Sequence, residues 1–331
     1  MNHPVISALF PVVLFIAIGW IAGQRRWVGP GAIRDLSNLV FMVLAPALLF
    51  RTMGTVRVEQ LDFRPVAVYF MAAGLIFAAT LLVKGFNRRG AVLALANTFS
   101  NTLMIGVPLV GLAYGPAGLV TLFTLISLHS LVLLTLATVV LELAVARENA
   151  YSASGQQGPD AAAAPLRNAG PNRPALWFVV GKAVRNAVIH PIPLPILAGL
   201  LFAQTGWVLP AMVDKPLLLL GQALAPVALI LVGVILVSTP VGQQIRSATQ
   251  LALVKNMVHP ALVVALGWAL GLQGPALGVM VLAAALPIGA NVFLFSQRYQ
   301  VAQDIVTAGV AVSTILALVT LPVAMAVAAR I

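Results

Sequence analysis

The 331-residue sequence contains no cysteine, and only 8% of its residues are charged. Without cysteine there are no disulfides and no thiolate metal sites, and the redox compartment cannot be read. So few charges exclude a water-facing globule, because a soluble domain hydrates its surface with about 25% charged residues. Acids are scarcer than bases, 8 Asp+Glu against 19 Lys+Arg, for a formal charge of +11. No His-Glu-x-x-His zinc helix and no Walker-type Gly-x-x-x-x-Gly-Lys-Ser/Thr loop occurs. Both absences argue against a zinc enzyme and against an ATP-driven pump. The chain is therefore read as not an enzyme, with no cofactor and no metal site.

What is abundant is apolar sequence: 61% of residues are hydrophobic and the mean hydropathy is +1.03. Lipid is the solvent such a chain fits. A membrane helix needs about 20 apolar residues, and spans are expected near 5–23, 36–53, 66–83, 91–112, 118–144, 189–205, 217–237, 249–271, 276–297 and 305–328. The expected fold class is an all-α integral membrane protein of ten transmembrane helices. Residues 1–23 lack the positive start and small-residue cleavage site of a signal peptide, and are read as a retained first span. The bases fall mainly in alternate loops, around Arg25 and Arg34, Lys84 and Arg89, Arg147 to Arg185, Arg246 and Lys255, and Arg298. Fewer lie on the other side, at Arg51, Arg57, Arg64, Lys215 and Arg330. The richer side is expected to be cytoplasmic, with both termini outside in the cell (inner) membrane. The basic charge thus follows from topology; the bilayer is the expected partner and nucleic acid is not.

Residues 147–174 are rich in Ala, Pro, Gly, Asn and Ser and have no apolar period. They are expected to form a flexible cytoplasmic linker. Residues 175–188, with Lys182 and Arg185 among apolar neighbours, are expected to form an amphipathic helix at the membrane surface. The linker divides the chain into 1–146 and 175–331, each with five spans. Five is odd, so the second half inserts upside down relative to the first. Leu44-Ala45-Pro46 in span 2 is echoed by Leu224-Ala225-Pro226 in span 7, and His3-Pro4 more weakly by His190-Pro191. Inverted repeats are the architecture of secondary transporters.

Spans 4 and 9 carry unusual chemistry. Span 4 gathers Asn97, Thr98, Ser100, Asn101, Thr102, Gly106 and Pro108; span 9 carries Pro287, Gly289 and Asn291 at a similar depth. Proline removes an N–H and clashes one turn back. Open backbone at membrane depth is tolerated only inside protein or along a wet cavity. Helix breaks are expected at Gly106, Pro108 and Pro287. Substrate contacts are expected at Asn97, Ser100, Asn101, Thr102, Pro287, Gly289 and Asn291, although Asn and Thr also serve as packing glue between membrane helices. Glu142 is the only acid well inside a span. Without a central carboxylate, and with the partly positive N-termini of broken helices, the pattern favours a small organic anion. His129 is either a satisfied core histidine or a cavity residue. His259-Pro260 marks either a kink or the same cavity. Lys255 is expected to snorkel to the interface.

The segment Asn101-Thr102-Leu103-Met104-Ile105-Gly106-Val107-Pro108-Leu109 resembles the Asn-Thr-x-x-x-Gly-x-Pro segment of the auxin efflux carrier family. Leu286-Pro287 and Phe293-Leu294-Phe295-Ser296-Gln297-Arg298-Tyr299 are similar to that family's ninth span. The resemblance covers essentially the whole chain. It implies inverted five-helix repeats with broken, crossing helices 4 and 9, an elevator-like motion and a homodimer. For a bacterial member it implies a carboxylate cargo such as malonate or malate, with Asn101 and the residues around Pro287 at the site. Plant members have proline where this chain has Ser100, so the break in span 4 is expected to be milder or to be driven by Gly106 and Pro108. A channel or sensor built on the same helices, without coupled transport, is the rival function.

Overall fold

A computed structural model describes residues 4–154, 192–239 and 242–331. His3, His190-Pro191, residues 155–174 of the expected linker and the expected surface helix at 175–188 lie outside the described residues. Within them the fold is all-α. The helices are α1 (Pro4–Gln24), α2 (Pro30–Leu39), α3 (Ala45–Met53), α4 (Arg64–Lys84), α5 (Arg88–Thr98), α6 (Val107–Ser154), α7 (Pro193–Gln204), α8 (Ala211–Ser238), α9 (Ile245–Leu253), α10 (His259–Ala269), α11 (Pro275–Ala285), α12 (Asn291–Arg298) and α13 (Gln303–Ala328). Among the described residues seven helical stretches are long and apolar enough to cross a membrane, and α7 and α11 are shorter apolar helices. The chain is a multi-pass membrane protein.

Three prolines are absorbed by a change of helical pitch. Single π-helical turns at Val40–Leu44, Thr102–Gly106 and Val254–Val258 each end just before an X-Pro pair: Ala45-Pro46, Val107-Pro108 and His259-Pro260. In each, the amide of X reaches back five residues, to the carbonyls of Val40, Thr102 and Val254 respectively. The wider turn re-pairs the backbone around the missing proline N–H, so the helix continues. Pro108 therefore does not break span 4, and neither does Gly106 inside the π turn. That expectation is corrected: the interruption lies earlier, at Phe99–Asn101.

α6 extends beyond the expected end of span 5, through Ser154, so residues 147–154 of the expected linker are helical. At Gly115 (φ 63°, ψ −157°) it departs from helical geometry, and Pro116 begins the second arm. Its apolar stretch Thr102–Val145 is 44 residues long. Unbent, it would reach about 66 Å, twice the hydrocarbon thickness of about 30 Å. The bend is what lets both arms lie within one bilayer.

α1, α3, α7 and α8 pack chiefly on one another, with α1 lying along α8. α4 and α5 pack together, α9 and α11 pack on α13, and α10 lies on α4 and α11. The arms of α6 touch both sets. Arg51 at the end of α3 grips Asp214 at the start of α8, with Nε and Nη2 donating to the two carboxylate oxygens at 2.7 and 3.0 Å. Toward the opposite ends, Arg88 at the start of α5 holds Glu148 of α6 through Nε at 2.6 Å.

Candidate functional site

Two helices stop in the middle of the bundle and meet. α11 ends at Leu286 (φ −61°, ψ 150°), the extended geometry that a following proline imposes. α5 ends at Phe99 (φ −85°, ψ 111°), with no proline to cause it. The two breaks form an antiparallel bridge between Ser100 and Ile288. The Asn101 amide donates to the Pro287 carbonyl and the Gly289 amide to the Phe99 carbonyl, both at 2.9 Å. Each break thus satisfies the open backbone of the other, which is what membrane depth demands.

Side chains from neighbouring helices pair the remaining polar groups. The Tyr69 hydroxyl of α4 lies 2.8 Å from Ser100 Oγ and 3.0 Å from His129 Nε2. The Ser100 amide donates to His129 Nε2 at 3.4 Å, and the Ile288 amide donates to Ser313 Oγ of α13 at 3.1 Å. Each bridge residue is thus held by a side chain from the apolar helix that follows it. Lys255 is fully buried, and its Nζ donates to the carbonyls of Ala284 and Leu286 at 2.6 and 2.8 Å. The expected snorkelling of Lys255 is therefore corrected. Its π turn points it at carbonyls that the break in span 9 leaves without helical donors. His259 is also fully buried, its ring 5.0 Å from that of Tyr69, with neither ring nitrogen hydrogen-bonded among the described residues.

A cavity of about 550 Å³ runs between α4–α5 and α9–α13 toward this crossing. Lys84 and Arg89 line it, with Asn97, Ser247, Gln250 and Val254, and among the described residues no acid lines it. Asn97 Nδ2 donates to Thr80 Oγ1 at 3.0 Å, while its buried Oδ1 has no partner among the described residues.

The residues singled out in the sequence divide by position. Ser100, Asn101, Pro287 and Gly289 come together in the bridge. Thr102 is buried in the π turn that follows. Asn97 lies one turn before the break and faces the cavity. Asn101 is half-buried, and its side chain accepts from the Met104 amide at 3.3 Å, capping the resumed helix. Asn291 is half-buried at the first turn of α12. His129 has joined the Tyr69–Ser100 network and does not line this cavity. Sequence reasoning missed Tyr69, Ser313 and the role of Lys255. For Lys255 a signal was available, since an ionisable side chain inside a span marks a functional position by default. Glu142, noted for its depth, accepts from the Tyr299 hydroxyl at 2.8 Å.

The family described as "Membrane transport protein" matches residues 4–325. The chain belongs to this family. It is the family of the auxin efflux carriers, which the segments at 101–109 and 286–299 resemble. "Auxin efflux carrier component 8" of Arabidopsis thaliana is 23% identical, over 96% of this chain and 95% of that protein. "Putative malonate transporter" of Rhizobium meliloti (strain 1021) is 27% identical, over 94% of this chain and 92% of its own length. "Auxin efflux carrier component 1" of Arabidopsis thaliana is 28% identical, but over 43% of this chain and 23% of that protein. Family membership thus extends through both interrupted helices and the bridge they form.

Proposed function

We propose that the protein is a secondary active transporter moving a small organic anion, a carboxylate such as malonate or malate, by alternating access. The observation that carries this reading is the cavity: two cationic side chains, no acid among the described residues, and a floor at Asn97 beside the paired helix breaks. Lys84 and Arg89 attract and concentrate an anion at the entrance. Beyond them, the interrupted helices present partly positive N-terminal ends that suit a carboxylate. Asn97, Ser100, Asn101, Thr102, Pro287, Gly289 and Asn291 form the proposed site. Asn97 meets the ligand from the cavity, and the bridge residues give the floor its shape.

The proposed architecture is ten spans in two inverted repeats, 1–146 and 175–331, joined by a cytoplasmic linker whose first residues continue α6. It is supported by the matching roles of His129 and Ser313 at the two bridge amides. In this reading the set containing α1, α3, α7 and α8 is the scaffold against which the crossing helices move. A homodimer belongs to the same proposal. Both termini lie outside, and the Lys84–Arg89 end of the cavity faces the cytoplasm of a cell whose inner membrane holds the protein. The native chain has no thiol, so a single introduced cysteine reports its side cleanly. Phe86→Cys is expected to react with an impermeant maleimide only after the cells are opened, and Val208→Cys in intact cells. The reverse pattern sinks the assignment of sides.

Counterflow of radiolabelled malonate and malate into proteoliposomes tests the function. Saturable, voltage-independent exchange is expected from a carrier; a linear, unsaturable flux would mark a channel. Asn97→Ala is the sharper site variant, because Asn101→Ala also removes a helix cap, worth about 1 kcal/mol. Loss of one ligand hydrogen bond, about 0.5–1.5 kcal/mol, predicts an affinity weakened up to about tenfold, in a variant that still folds although its bond to Thr80 is lost as well. Unchanged affinity would take Asn97 out of the site.

A further inference from the structure

Asn97 carries one polar atom that the fold around it does not use. Its amide nitrogen donates to Thr80 Oγ1 at 3.0 Å, and Thr80 Oγ1 in turn donates to the Ile76 carbonyl at 2.7 Å. The hydroxyl proton is committed to Ile76, so toward Asn97 the Thr80 oxygen only accepts. The carboxamide therefore cannot turn end for end, and Nδ2 must face Thr80. Oδ1 is left as a fixed acceptor, buried and with no partner among the described residues. A buried acceptor without a donor is unfavourable, and membrane depth has no bulk water to supply one. The residue is 6% exposed and lies on the wall of the cationic cavity. Arg89, Leu93 and Asn97 follow one another at four-residue intervals, a single stripe of α5 along that wall. Cargo drawn in by Lys84 and Arg89 thus meets Asn97 at the floor. A fully ionised dicarboxylate brings acceptors only, and it sets oxygen against oxygen at Asn97. A 2-hydroxy acid brings an O–H as well. Oδ1 is closed to water in this conformation, so the hydroxyl reaches it as the wall's side chains settle around the cargo.

We propose that the preferred cargo is a hydroxylated carboxylate, a 2-hydroxy acid such as malate, whose hydroxyl donates to Asn97 Oδ1. This rests on the carrier reading above and adds its selectivity: Asn97 is the specificity-determining residue, and malonate, which has no hydroxyl, is the poorer ligand. A site with a buried acceptor of its own discriminates against the analogue that lacks the donor, because the acceptor is then left unpaired.

Malate and succinate share a four-carbon chain and two carboxylates and differ by one hydroxyl. Each competes, unlabelled, against labelled malate in proteoliposome counterflow at about pH 8, where both are fully ionised. Wild type is expected to need about tenfold more succinate than malate for half-inhibition. Asn97→Ala is expected to weaken malate about tenfold and leave succinate unchanged, which erases the preference. A residue that only supported the fold would shift both acids alike. A preference that survives in Asn97→Ala overturns the proposal. Equal wild-type affinities at that pH overturn it too; if both acids then tighten toward about pH 5, the donor is an undissociated carboxyl and not a hydroxyl. If Asn97→Ala does not fold, Thr80→Val takes its place. With no hydroxyl to hold Nδ2, the carboxamide presents either end, and the malate preference is expected to shrink severalfold; an undiminished preference overturns the proposal. Melting of the detergent-purified protein forms a second arm, because a ligand that binds only the folded state raises its stability. Malate is expected to raise the melting temperature at concentrations where succinate does not, and equal shifts, or none, overturn the proposal. Melting needs no transport, so a malate-selective shift without counterflow of any acid would defeat the carrier reading and leave the selectivity standing.

Discussion

Gly289→Val is expected to abolish malonate transport while leaving the chain inserted in the membrane. A Cβ at this position would lie 2.7 Å from Phe99 Cδ1 and 3.0 Å from the Ser100 carbonyl oxygen. The first contact could be relieved by a ring rotation, but Phe99 is buried with its ring 4.4 Å from that of His129. The second contact is with backbone and cannot move without opening the bridge, because the Gly289 amide is bonded to the Phe99 carbonyl. Overpacking of this kind costs about 1–3 kcal/mol, and each bridge hydrogen bond lost adds about 1 kcal/mol. If only the transporting geometry bears that strain, the rate falls by at least about tenfold. The measurement is initial uptake per folded molecule, with folding judged by size exclusion of a fluorescent fusion. An unaltered rate would mean that the crossing does not govern transport. Gly289→Ala meets the same atoms with a smaller side chain and is expected to fall between the two.

Gly233→Leu is expected to remove most of the folded protein. α1 and α8 approach backbone to backbone. A Cβ on Gly233 would overlap the Ile16 carbonyl oxygen and sit 2.6 Å from the Trp20 amide nitrogen, and a Cβ on Gly19 would overlap the Ile230 carbonyl oxygen. Membrane helices have no hydrophobic drive toward one another, so close packing of small residues is much of what joins them. A leucine at Gly233 pushes the axes apart along that whole contact. Gly23→Ala is the milder companion, since its Cβ would come no closer than 3.2 Å to the Val237 side chain and 3.4 Å to the Val234 Cα. Detergent-extracted yield and melting temperature distinguish the two: Gly233→Leu should lose most of the monodisperse peak, and Gly23→Ala should keep it. A stable Gly233→Leu would show that α1 and α8 are not held by this contact.

Much of the helical layout was legible because lipid imposes a simple pattern. The apolar runs expected near 5–23, 66–83 and 305–328 coincide with α1, α4 and α13. Positions were harder to read wherever tertiary contacts override local chemistry. Pro287 announces the end of α11, since proline constrains the residue before it. Phe99–Asn101 carries no such mark; its departure from the helix is held by Tyr69, His129 and the partner strand, all remote in sequence. Pro108 misled in the opposite sense, because a π turn absorbs it. Lys255 was misread because a lysine near the end of an apolar run normally escapes to the interface. Its true partners, the carbonyls of Ala284 and Leu286, become acceptors only once α11 has broken. Span 7 was expected from 217, whereas α8 begins at Ala211 and Arg51 neutralises Asp214 in its first turn.

The bridge at the centre of the molecule is made of main-chain atoms alone. Peptide groups are common to every residue, so this joint does not constrain the identities of most side chains that project from it. The main-chain bridge would therefore survive a change of side chain at Ser100 or Ile288, while Pro287 and Asn101 also serve to end α11 and to cap the resumed helix. Gly289 is the one position where a larger side chain is forbidden by the joint. A scaffold of this kind can diversify its chemistry at the very place where its mechanics are most fixed.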